Sequence, residues 1–110
     1  LSEAVPDIYN LPSVGERTAL NIVDALVCHY KGQQIGRLHN SIALNELRFS
    51  TDPVALDVLS VQEIAAQRGR SENLSGTATN RIEVYLNAVL LQLGAADVQK
   101  IDVQTVRIAE

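Results

Sequence analysis

Methionine and tryptophan are absent from this 110-residue chain, phenylalanine occurs once and tyrosine three times. A core must therefore be assembled from Leu, Ile, Val and Ala, and base stacking on aromatic rings has little to draw on. The single cysteine, Cys28, excludes an intrachain disulfide and cannot hold an iron–sulfur cluster alone, since such clusters use four ligands. A reducing compartment is compatible with this, and a cytoplasmic location is favoured. No apolar run approaches the roughly 18 residues that span a bilayer. No signal peptide is visible; any targeting segment of a longer parent would precede Leu1. Excess positive charge is missing too. Nine basic residues stand against 13 acidic ones, for a net charge of −4. That disfavours nucleic acid and anionic membranes as partners.

What is present suffices for one small domain. About 46% of the residues are hydrophobic, an ordinary globular fraction. There is no internal repeat. Residues 1–17 read as irregular or as a short helix, with Ser2 as cap and Pro6 weakening it. Residues 18–108 read as an α/β core. Thr18–Val23 is short, apolar and partly β-branched, which predicts a buried strand. After it, two readings compete: the strand runs on through Val27, or Asp24 caps a short helix that stops at Gly32. The second is slightly favoured. A polar loop follows to Asn40, and Ser41–Phe49 reads as a strand of imperfect alternation.

The clearest local signal is Ser50-Thr51-Asp52-Pro53. Asp52 is a strong helix N-cap, and Pro53 suits the first helical position because its missing N–H would be unpaired anyway. The helix is predicted from Pro53 to about Arg68, ended by Gly69. Residues 70–79 read as a loop, with Arg68 and Arg70 solvating the helix end. Asn80 caps a second helix, with Glu83 placed for a capping box. Ile82, Tyr85, Leu86, Val89, Leu90 and Leu93 form its apolar stripe, and Gly94 is its stop. Ala95–Lys100 reads as a turn and Ile101–Ile108 as an edge strand. The sum is a small mixed sheet of about three strands with two main helices, part of a larger α/β domain.

Asp57 draws attention because helical spacing sets it inside the apolar arc of Val54, Val58, Val61 and Ile64, with Ser60, Glu63 and Gln67 opposite. A carboxylate facing a core is costly unless partnered. It is either a structural acid or a ligand- or metal-contacting one. Asp24 is the second candidate: at a strand's carboxyl end it would sit where ligands gather in open sheets, and otherwise it is a cap. Oxygen ligands of this kind favour Mg²⁺, Ca²⁺ or Mn²⁺. Asp52 is explained by capping and would repel an anion at that helix end. His29 and His39 match no zinc spacing. Cys28 beside His29 is not a nucleophile–base pair, because adjacent side chains diverge. Gly32 and Gly36 form no phosphate-binding fingerprint.

The runs Leu20-Asn21-Ile22-Val23-Asp24-Ala25 and Ser50-Thr51-Asp52-Pro53-Val54-Ala55-Leu56-Asp57, with Tyr85-Leu86 and Leu93-Gly94…Asp97…Lys100-Ile101, resemble the bacterial and archaeal "domain of unknown function 362" family. The resemblance covers about Thr18 to Val106. It departs after Asp24, where the family often carries Gly-Gly-Pro or Gly-Pro and this chain has Lys31-Gly32-Gln33-Gln34. It implies the C-terminal portion of that domain, with the N-terminal portion or another subunit as partner. It also implies a connection to ferredoxin-like iron–sulfur modules. Asp24, Asp52 and Asp57 occupy motif positions for which it implies no role. Two functions follow as expectations: a ligand- or metal-binding, redox-linked segment using Asp24 and Asp57, or a non-catalytic association module.

Overall fold

The computed structural model describes residues 1–30, 40–72 and 82–108. In chain order these form α1 (Ala4–Tyr9), β1 (Asn21–His29), β2 (Ser41–Ser50), α2 (Pro53–Glu72), α3 (Ile82–Leu90) and a 3-10 turn at Val98–Lys100. The class is mixed α/β. Among the described residues the sheet has two strands, β1 and β2, paired antiparallel. Residues 101–108, expected as an edge strand, carry no strand assignment. Gly32, Gly36, His39, the loop over residues 73–79 and the Asn80 cap lie outside the described residues.

Several expectations change. The chain after Asp24 does not turn helical: β1 runs through to His29. Ile22, Val23 and Val27 suit a strand, and pairing with β2 overrides the weak local cap signal at Asp24. The first helix starts without Ser2 as its cap; Glu3 holds that position and makes no side-chain bond. Pro6 is tolerated because it falls in the first turn, where its absent N–H costs nothing.

Gly69 does not end α2, which continues to Glu72. Its φ is not left-handed, so it lacks the conformation that makes glycine a stop. Arg68 is not simply solvating a helix end, since its Nε donates to the Tyr30 carbonyl beyond β1. Nor does Gly94 end α3. There Leu93 N–H donates to Ala88 O at 3.0 Å and Gln92 N–H to Val89 O at 2.9 Å. Gln92 has φ 57°. These bonds define a Schellman closure with glutamine in the left-handed position. Leu93 and Ala88, brought together by that closure, belong to one apolar cluster.

Gly94 is required for another reason. A Cβ there would fall on Asp52 Oδ1. Asp52 caps α2 as expected, accepting from Ala55 N–H at 2.9 Å. Its second oxygen accepts from Ala95 N–H at 2.8 Å. One carboxylate thus fastens the turn after α3 to the start of α2, and only a glycine lets the two backbones approach.

The irregular alternation of β2 also has a cause. Between the pairs Ala25–Glu46 and Val27–Ala43, Leu26 faces two residues, Leu44 and Asn45. Asn45 has φ 54°, which asparagine tolerates better than most. The core lies where α2 and α3 meet: Val54, Val58 and Ala88 are buried, with Tyr85, Leu93 and Ala96 against them. Ala25 and Cys28 are buried on β1. Gln67, expected on the polar face of α2, is buried as well; its amide donates to Glu63 Oε1 at 2.7 Å.

Candidate functional site

The structure sends the two candidate acids to different places. Asp57 lies on the first turns of α2 and is exposed, not core-facing. Pro53 and the Asp52 cap fix the start of the helix and hence the direction of Asp57. Its Oδ2 accepts from the Tyr85 hydroxyl of α3 at 2.8 Å. The bond ties α2 to α3 just outside the Val54–Val58–Ala88 cluster. Both residues line a cleft of about 400 Å³ whose walls come from α1, the start of β1, α2 and α3. Most of that lining is aliphatic or aromatic. Among the described residues Asp57 is the one lining residue that carries a formal charge, and Asn21, Tyr9 and Tyr85 add polar tips.

Asp24 is absent from the cleft lining. It sits inside β1 opposite Leu47, and its Oδ1 accepts from Leu26 N–H at 3.0 Å. Leu26 is the residue at the irregularity, so the carboxylate holds the backbone where the pairing shifts. Along the strand Asp24 shares a face with Ile22 and, through the register, with Leu47 and Phe49. Ile22, Leu47 and Phe49 are 59%, 55% and 57% exposed. Ala25, next along the strand and on the opposite face, is buried. Asp24 is therefore a single acid in the middle of an open apolar face. Alternation could have revealed this face once the strand reading was chosen over the helix.

Cys28 is held between the sheet and α2. Burial pushes its thiol above the ordinary range and the Glu63 charge adds to this, while Arg48 and Arg68 act in the opposite sense. A thiol kept protonated is a poor nucleophile. His29 hydrogen-bonds Ser41 across the strands through Nδ1 at 3.0 Å. Among the described residues, no three His, Cys, Asp or Glu side chains gather as a metal site would need. Also among them, no helix is long and apolar enough to cross a membrane.

The sequence drew attention to Asp57 but not to its tyrosine partner, because Tyr85 read as part of an ordinary apolar stripe. Tyr9, on the first short helix, carried no signal at all. No protein family, curated protein or solved structure matches this chain, so the resemblance to the "domain of unknown function 362" family rests on its sequence runs alone.

Proposed function

We propose that this chain is an association module, the α/β part of a larger assembly whose sheet is completed by another segment. The observation that carries this is the open face of β1 and β2, where Ile22, Leu26, Leu47 and Phe49 stand exposed around Asp24. Contiguous exposed apolar surface of this kind marks a place where another protein binds. The acid at its centre selects the partner. A second copy packed face to face about a two-fold axis would oppose Asp24 to its own image, and like charges in a desolvated contact cost several kcal/mol. The fitting occupant is a different apolar surface carrying Lys or Arg opposite Asp24.

In this reading the partner is the N-terminal portion of a domain like those of the "domain of unknown function 362" family, or another subunit. It also adds the third strand, and residues 101–108 are the stretch of this chain with the composition to join it. Any link to ferredoxin-like iron–sulfur modules would run through that partner, because Cys28 alone cannot bind a cluster.

A soluble peptide alternating valine and lysine tests the charge preference, followed by amide chemical shifts. It is expected to perturb Ile22–Leu26 and Leu47–Phe49, whereas its valine–glutamate counterpart does not. Asp24→Asn should reduce the difference between the two peptides. Equal binding of both, or of neither, contradicts the proposed partner.

A second reading, that the segment binds a small ligand, is supported by one specific observation: the Asp57 carboxylate opens into an apolar cleft and is held there by Tyr85.

A further inference from the structure

That second reading leaves the ligand's class open, and the cleft restricts it. Its walls are apolar on most sides: Val54 and Leu56 from α2, Ala88 from α3, Val5 from α1. Four polar features remain among the described residues: the Asp57 carboxylate, the Asn21 amide and the rings of Tyr9 and Tyr85. Among the described residues no Lys or Arg lines the cleft. Its one hydrogen bond among the described residues comes from a neutral phenol. An anionic ligand would face repulsion from the Asp57 carboxylate. A neutral apolar one would leave the carboxylate partly stripped of water and uncompensated, which is costly. A divalent metal would find a single carboxylate, too few oxygens for the six to eight that Ca²⁺ takes. An ammonium group on an apolar body meets all three conditions: carboxylate for its charge, aromatic faces for its polarised methyl or methylene groups, aliphatic walls for the rest. The volume, about 400 Å³, lies at the small end of ligand pockets, which suits a compact molecule.

We infer that this cleft is a binding site for a small organic cation, an alkyl- or arylammonium, with Asp57 as counter-ion and Tyr9 and Tyr85 as its aromatic walls. The inference rests on the ligand-binding reading of Asp57; Ile22 lines this cleft as well as standing on the sheet face.

The test is a titration followed by amide shifts with three probes of similar size: benzyltrimethylammonium, neutral benzyl alcohol and anionic benzoate. The cation is expected to move the amides of Val54, Tyr85 and Ala88 and to bind about fivefold more tightly than the alcohol, with benzoate weakest. Asp57→Asn, which keeps an acceptor for Tyr85, should remove most of that preference. Tyr9→Leu, which preserves apolar volume, should weaken the cation by about threefold and leave the alcohol unchanged. Equal binding of the cation and the alcohol, or an Asp57→Asn variant that still prefers the cation, overturns the cation site while leaving a ligand cleft. If none of the probes moves the cleft amides, both the inference and the ligand-binding reading fall.

Discussion

Asp52 and Gly94 work as a pair that neither residue announces by itself. The carboxylate serves two backbone N–H groups, Ala55 and Ala95, and the glycine makes room for it. Gly94→Ala should therefore displace the carboxylate and cost about 2 kcal/mol, one lost cap and one lost hydrogen bond. Gln92→Gly should do the reverse and add roughly 0.5–1 kcal/mol, because glutamine holds a left-handed φ that glycine adopts freely. Urea unfolding of the two variants checks both signs. The glycine just beyond the helix was legible as a punctuation mark. Its role was not, since a glycine needed for φ and one needed for close approach look the same in sequence.

Cys28 makes a second prediction at this scale. Its thiol is raised by burial first and by Glu63 next, with Arg48 and Arg68 opposing. Below the ordinary thiol range, about 8.5, the group is protonated in folded and unfolded chains alike and has no effect on stability. As the pH rises above that range the unfolded chain ionises first, so stability falls until the folded thiol also titrates. Alkylation by iodoacetamide in the folded protein should be slower than for an unstructured thiol and should accelerate only at higher pH. Alkylation at the free-thiol rate at pH 8 would contradict the burial.

At the scale of elements, β2 and the start of α2 were readable, and the continuation of β1 was not. Ser41–Phe49 and Asp52-Pro53 carry local signals strong enough to survive folding: β-formers in one, a cap with proline in the other. The stretch from Asp24 to His29 holds residues compatible with both states, and pairing with β2 decides between them. The same pairing explains Asn45. A left-handed residue at the irregularity is forced by two residues opposing one, and asparagine meets that need. Asn45→Gly should be neutral or slightly stabilising, while Asn45→Val should cost about 1–2 kcal/mol, a β-branched side chain at positive φ. Thermal unfolding of the two variants separates this account from one in which Asn45 acts through its amide, where both would lose stability alike. The candidate acids follow the same lesson. Asp57 was singled out by periodicity, but its exposure and its Tyr85 partner depend on how α3 packs against α2, which spacing within α2 cannot encode.

The whole molecule is loosely filled. Its radius of gyration is 15.2 Å, whereas a compact chain of this length has about 13 Å. Among the described residues the buried ones are small or medium, Ala25, Cys28, Val54, Ala55, Leu56, Val58 and Ala88 among the hydrophobic ones, and none of their large side chains is fully buried. Meanwhile Ile22, Leu47 and Phe49 stand more than half exposed. A chain that spends its larger apolar residues on an open face gains little of the roughly 1.5–3 kcal/mol that burying each would provide. That imbalance was only partly legible. Composition supplied the small core and three readable strands suggested a sheet too small to cover itself, but which face stands open depends on the β1–β2 register.

On the proposed association reading this face is kept for a partner and does not hold the chain's own fold together. The double variant Leu47→Thr/Phe49→Thr tests it through urea unfolding of the isolated chain, with binding of a hydrophobic dye recorded on the same samples. Stability is expected to stay within about 0.5 kcal/mol of the parent, as for exposed positions, while dye binding drops. A loss of several kcal/mol, the size seen when core side chains are truncated, would mean that the chain buries this face itself and would contradict the association reading.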